Sequence, residues 1–302
     1  MPSGQETTSV YYRSDYCDAD KSLETDTDDE LCWAASSSNQ LWATYWGRLG
    51  GLQDEEEVLN DVYQPNFPNA GGHNYPSLLW FLEGKGYQTL KVDVIEPTET
   101  TAGAVVFSRV PGGFYKKVLK FKNDWADRYL RRLNLFGSYH SLYHCVSYLK
   151  LGNSVNVNLR GFNQYDGSVA RGGHALTLWG YRHSDKYPEN DVRHIKSIIV
   201  SDSDDYQNRP TPYHNCQYLV QSGGRAIFEI PVTWKSSCLA IGRPRGAWVL
   251  GPEYAGGGPG YSYDVILTEA VILTPKPSPY LSPEFSSEMK EVSEEPDPTS
   301  GE

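Results

Sequence analysis

The sequence contains nothing approaching the roughly 18 consecutive apolar residues of a membrane-spanning helix. Its opening residues, Met1-Pro2-Ser3-Gly4-Gln5-Glu6, lack the basic and then apolar run of a secretion signal. The expectation is a soluble chain whose signal is absent or removed. Positive charge is scarce: 27 Lys and Arg stand against 38 Asp and Glu, giving a formal net charge of -11. Binding to phosphate needs Lys and Arg to release counterions, so nucleic acid and anionic membrane are excluded as expected partners. There is no Cys-x-x-Cys pair and no Cys/His set at the spacings that build a tetrahedral zinc site, so no metal and no cofactor is expected. No internal repeat is visible.

The five cysteines (Cys17, Cys32, Cys145, Cys216, Cys238) are an odd number in a chain of 302 residues, long enough to fold without disulfide staples. At least one thiol is left over if the rest pair within the chain, and a free, chemically used thiol is the starting hypothesis. The 39% hydrophobic content supports a full core.

Three regions are expected. Residues 1–20 are polar and read as an extended segment. Residues 21–275 read as one folded domain. Residues 276–302, rich in Pro, Ser and Glu, read as a disordered acidic tail that cannot bury enough apolar surface to offset its ordering entropy. More than half of the net charge sits in residues 281–302, where seven acids (Glu284, Glu288, Glu291, Glu294, Glu295, Asp297, Glu302) face Lys290 alone.

Helical spacing of Leu31, Ala34, Ala35, Leu41, Trp42, Tyr45 and Trp46, after the capping candidates Asp28-Asp29-Glu30, places Cys32 in the first turn of a buried helix. Further helices are predicted over 54–63, over 76–83 ending near Gly84, and over 124–149. The second half instead carries short β-rich runs at 155–159, 175–181, 195–201, 226–230 and 265–273. Helices followed by strands imply an α+β fold. A helical part carrying a nucleophile would pack on an antiparallel sheet carrying its base.

A thiol at a helix N-terminus is favoured as thiolate by the unpaired N–H groups and the macrodipole. The bland alternative for Cys32 is a buried structural cysteine, the common fate of the residue. The small residues of Leu31-Cys32-Trp33-Ala34-Ala35 let this helix sit closely against an opposing element, and Trp33 could shield a site from water. His174, in Gly172-Gly173-His174-Ala175-Leu176, stands at the start of a strand with close backbone access beside it. It follows Cys32 by about 140 residues, within the roughly 130–150 of papain-type arrangements. Its bland alternative is a strand-capping histidine.

A catalytic base needs an acceptor on its second nitrogen, and Asp202, closing the strand Ile198-Ile199-Val200, is the candidate, with Asp204 in support. The alternative for Ser201-Asp202-Ser203-Asp204-Asp205 is an acidic turn or a calcium loop. Calcium is disfavoured by Gln207 at the expected glycine position and by the lack of a following bidentate Glu.

Two segments together resemble the immunoglobulin-degrading streptococcal cysteine endopeptidases, the Mac-type family of papain-like proteases. One is Asp28-Asp29-Glu30-Leu31-Cys32-Trp33-Ala34-Ala35, running on through Asn39 and Leu41 to Trp42 and Trp46. The other runs from His174 through Leu178-Trp179-Gly180 to Val200-Ser201-Asp202-Ser203-Asp204. The resemblance implies a papain-like fold, with Cys32 as nucleophile, His174 as base, Asp202 as orienting acid and Asp204 as supporting acid. It also implies a lysine upstream of the Cys near the oxyanion hole, a place that Lys21 takes one residue further from the Cys than the family has it. The implied function is endopeptidase cleavage of a protein, immunoglobulin or another host protein, by a secreted enzyme through an acyl-enzyme. The missing signal points instead to the cytoplasm. A thiol acyltransferase or transglutaminase using the same residues, and a catalytically silent binding protein, are the alternatives.

Overall fold

The computed structural model describes residues 6–21, 30–49, 51–67, 69–84, 112–115, 129–163, 169–204, 218–240, 243–251 and 263–277. The expected capping residues Asp28 and Asp29, and nearly all of the expected tail, lie outside them. In chain order the elements are β1 (Thr8–Tyr12), α1 (Cys32–Ala43), α2 (Glu55–Glu57, continued by a π-helical turn Val58–Tyr63), α3 (Asn74–Glu83), β2 (Leu130–Asn134), α4 (His140–Lys150), β3 (Ser154–Asn163), β4 (Val169–Ser184), β5 (Ile195–Ser201), β6 (Tyr218–Ser222), β7 (Arg225–Ala240), β8 (Arg243–Leu250) and β9 (Tyr263–Leu273).

The papain-like α+β arrangement expected from the order of helices and strands is not what forms. The protein is mostly β: strands β4, β3, β9, β8, β7 and β5 pair antiparallel in that order, and β4 pairs with β5 to close a six-stranded barrel. Among the described residues the helices are few and short. The physical reason lies in strand length and irregularity. β4 is 16 residues long. It pairs with β3 over Gly173–Leu178, with β5 over Thr177–His183 and with β1 over Gly180–Ser184. Shifts of register within the β3–β4, β3–β9, β4–β5 and β7–β8 pairs bend these strands enough to bring the sheet round on itself. The seam between β8 and β9 is narrow, with Val249 opposite Ile266.

β1, β2 and β6 extend the barrel as outlying strands. Residues 130–134, expected within a helix, are the strand β2. Here Arg131 and Arg132 are exposed and Leu130 is buried, and β9 supplies the backbone partners. The expected helix over 76–83 is α3, which ends at Gly84 in the left-handed conformation that favours glycine. The helix expected over 54–63 is opened by the Asp54 carboxylate, which accepts from the Glu57 N–H at 2.9 Å.

Two large apolar clusters result. One gathers Leu142, Cys145 and Leu149 of α4 with Val155, Val157, Leu176, Leu178, Ile198, Val200 and Leu267 of the barrel strands. The other is built by α1, α2 and α3 around an aromatic centre of Trp33, Tyr63, Phe67, Trp80 and Phe81. Within it, rings meet edge to face, as Trp33 does on Phe67 at 5.3 Å between centroids. α1 lies between this cluster and the barrel, packed against β4 and β3.

Gly180 allows β1 to lie against β4. A Cβ there would overlap the Tyr11 carbonyl and come within 2.6 Å of the Tyr12 Cβ. Gly180→Ala is therefore expected to lower the urea-unfolding free energy by roughly 1–3 kcal/mol and to speed hydrogen exchange across residues 8–12. An unchanged midpoint with β1 still protected would refute this account of the edge.

Candidate functional site

α1 opens at Cys32 with Leu31 at the N-cap position and no side chain bonded to the cap. The Leu31 carbonyl accepts from the Ala34 N–H at 2.8 Å and the Ala35 N–H at 3.0 Å. The Cys32 and Trp33 N–H groups belong to the first turn, where no intrahelical acceptor exists. The expected acidic cap does not form at Glu30, whose N–H instead donates to Asn69 Oδ1 at 2.7 Å. Among the described residues, no side chain caps this positive end of the helix beside the thiol.

Trp33 does not cover this opening. It is buried in the helical cluster with its Nε1–H donating to the Ala70 carbonyl at 2.9 Å, and so it anchors the helix. Cys32 is a free, half-buried thiol, whereas Cys17 and Cys145 are free but buried. The side chains of Cys216 and Cys238 lie outside what the structure describes.

β4 brings His174 near enough to Cys32 for the thiol to raise the basicity of the imidazole. On its other side His174 Nε2 lies 2.6 Å from Asp202 Oδ1. Asp202 directly follows β5, is buried, and is held by the Asp204 N–H donating to the same Oδ1 at 3.0 Å. With Nε2 occupied by the carboxylate, Nδ1 is the ring nitrogen free to face sulfur, and Asp204 Oδ2 lies 3.8 Å from it. Burial alone would push this imidazole down. The Asp202 carboxylate, and after it the nearby Cys32, outweigh it and hold His174 well above the usual histidine range.

Lys21 arrives from the segment that links β1 to α1. Its side chain is buried and ion-paired with Asp204, and its backbone N–H donates to the Ser203 carbonyl at 3.3 Å. Burial pulls the ammonium down, but Asp204, then Cys32 and Asp202, carry it above the ordinary lysine value. A charged lysine is therefore fixed within electrostatic reach of the thiol. The five residues singled out in the sequence, Cys32, His174, Asp202, Asp204 and Lys21, are all brought together.

His174, Asp202 and Asp204 also offer one ligand atom each within 4.8 Å of one another. A divalent cation there would have to displace the Lys21 ammonium from Asp204 or sit beside it. The continuation of the calcium-loop alternative, Asp205 and Gln207, lies outside the described residues.

Sequence reasoning missed the groups beneath this cluster. Glu55, at the start of α2, is buried and paired with Arg225 of β7, whose Nη2 donates to Glu55 Oε2 at 2.6 Å. Glu55 Oε1 accepts the Asp18 N–H at 3.1 Å, and Asp18 Oδ2 accepts the Ala226 N–H at 2.6 Å. The segment carrying Lys21 is thus tied to both halves of the molecule. An open cleft lined by Tyr139, Asp191, Arg193 and Trp234, among others, contains none of the candidate residues. The sequence matches no protein-family model and no curated protein.

Because the folded pKa of His174 is raised, its contribution to stability is fully present below the ordinary histidine pKa. That contribution is lost as pH rises through the raised value. Nitrogen-15 NMR of the ring is expected to show titration well above about 6.5 in the wild type. In Asp202→Asn the midpoint should fall to or below that value, because burial then dominates. An unmoved midpoint in Asp202→Asn would remove the carboxylate as the cause.

Proposed function

We propose that the protein is a cysteine endopeptidase with Cys32 as nucleophile, His174 as general base and acid, and Asp202 as the group that orients the ring. The observation that carries this reading is His174, whose Nε2 meets a buried carboxylate at 2.6 Å and whose basicity is raised by the nearby Cys32. Its elevated basicity favours the imidazolium that a thiolate needs. In the first step the Cys32 sulfur attacks the peptide carbonyl carbon, and the oxyanion that forms is stabilised by the Cys32 N–H and the Lys21 ammonium. As the tetrahedral adduct collapses, His174 donates its Nδ1 proton to the departing amine, leaving a thioester on Cys32. A water molecule then attacks the thioester, giving its proton to His174, and the acid product leaves with the thiolate restored.

Asp202 holds Nε2 throughout, so that Nδ1 stays aimed at sulfur and the positive ring is stabilised whenever it forms. Asp204 has a different task, that of placing the Lys21 ammonium. The sequence resemblance to the Mac-type endopeptidases supports a protein substrate, immunoglobulin or another host protein, and an enzyme that works outside the cell. It bears on these residues and their chemistry, and not on the fold.

New N-termini mapped by mass spectrometry, after incubation with serum and separately with a cell lysate, test the reading. Wild type is expected to generate cuts that Cys32→Ala does not. Lys21→Ala should cut the same bonds with kcat reduced by about 10²–10³-fold, the cost of losing one oxyanion donor. Identical peptide maps from wild type and Cys32→Ala in both mixtures would end the proposal in favour of acyl transfer or a binding role.

A further inference from the structure

Asn39 is two turns along α1 from Cys32, on the same helix, and is 2% exposed. Its side-chain amide touches each of the other chain segments that deliver a site residue. The oxygen accepts the Ala19 N–H at 2.7 Å, two residues before Lys21. The nitrogen donates to Thr177 Oγ1 at 3.2 Å, three residues after His174 on β4. It also donates to Ser201 Oγ at 3.3 Å, the residue before Asp202. A backbone N–H can only donate, so the amide oxygen must face Ala19 and the NH2 group must face the two hydroxyls.

The hydroxyls are suited to receive it. Thr177 and Ser201 stand directly opposite each other in the β4–β5 pairing. Thr177 Oγ1 passes its own proton to the Ser36 carbonyl at 3.5 Å, and Ser201 Oγ accepts a second bond from Trp179 Nε1 at 2.9 Å.

We propose that Asn39 is the positioning residue of this site, setting the mutual register of Cys32, Lys21, His174 and Asp202 through one buried amide. The reacting groups sit on four segments far apart in sequence. Elsewhere these segments are joined pairwise, by backbone pairing of β4 with β5 and by Lys21 N–H to Ser203. Asn39 alone among the described side chains bonds three of them from the fourth. A shift of α1 along β4 would break its amide bonds before it disturbed much apolar contact, and displacements of about 1 Å in a catalytic set cost about 10²-fold in rate. The kinetic part of this inference rests on the endopeptidase reading; the geometric part does not.

Two variants test it. Asn39→Ala removes the amide. Thr177→Val combined with Ser201→Ala keeps Asn39 and its bond to Ala19, removes the two acceptors and adds no charge. Each is expected to lower kcat by about 10- to 100-fold with KM within about twofold of wild type, and to bring the NMR titration midpoint of His174 down toward the ordinary histidine value. Circular dichroism and thermal unfolding verify that each variant folds. If Asn39→Ala does not fold, the double variant decides. Folded variants with wild-type kcat and an unmoved His174 midpoint would overturn the proposal and leave Asn39 as a stabilising residue only. If the wild type cleaves nothing, the endopeptidase reading fails, and the His174 midpoint still decides whether Asn39 positions the ring.

Discussion

The molecule depends on burying a polar stretch of helix. From Trp33 to Leu41 every residue of α1 is buried, yet five consecutive members, Ser36, Ser37, Ser38, Asn39 and Gln40, are polar. Such a stretch is costly unless each group finds a partner. The serines turn back on their own helix, with Ser36 donating to the Cys32 carbonyl at 2.8 Å, Ser37 to Trp33 at 2.6 Å and Ser38 to Ala34 at 3.0 Å. Asn39 and Gln40 reach outward, and Gln40 Nε2 donates to the Ser154 and Val271 carbonyls at 3.0 and 2.8 Å. The helix is thereby keyed to a single position on the barrel. Apolar packing alone would let it slide.

That keying explains how a mostly β protein can present a thiol with a defined neighbour. β4 and β5 hold His174 and Asp202 through backbone pairing, which is stiff. α1 brings Cys32 from the helical side, and the buried amides decide where along β4 it stops. From above, Asn74 Nδ2 donates to the Trp33 carbonyl at 2.9 Å and to Ser36 Oγ at 2.7 Å, so α3 fixes the first turn from the opposite side.

Much of the site was legible in the sequence, and the fold was not. Cys32 was readable because apolar periodicity marks a helix that begins beside it. His174 and Asp202 were readable because each borders a short apolar strand. Local patterns of this kind survive any tertiary arrangement. The closed barrel was hidden because closure depends on strand irregularities and on partner choice. Nothing in the run 175–181 says that β4 continues to residue 184 and pairs with three strands. The β2 run reads as part of a helix because Leu130, Leu133 and the two arginines suit either state until β9 arrives as partner. Asn39 was visible only as one position of a motif, since its task depends on Ala19, Thr177 and Ser201 being neighbours in space.

The segment leading to Lys21 gives the architecture a temporal meaning. Lys21 and α1, which carries Cys32, precede by far in the chain the strand that carries His174 and the one that leads to Asp202. Until β5 has joined β4, Cys32 has neither a proton acceptor nor a fixed lysine beside it. On the endopeptidase reading, peptide cleavage therefore appears only together with the finished barrel. On that reading, folding itself is the safety catch on the enzyme.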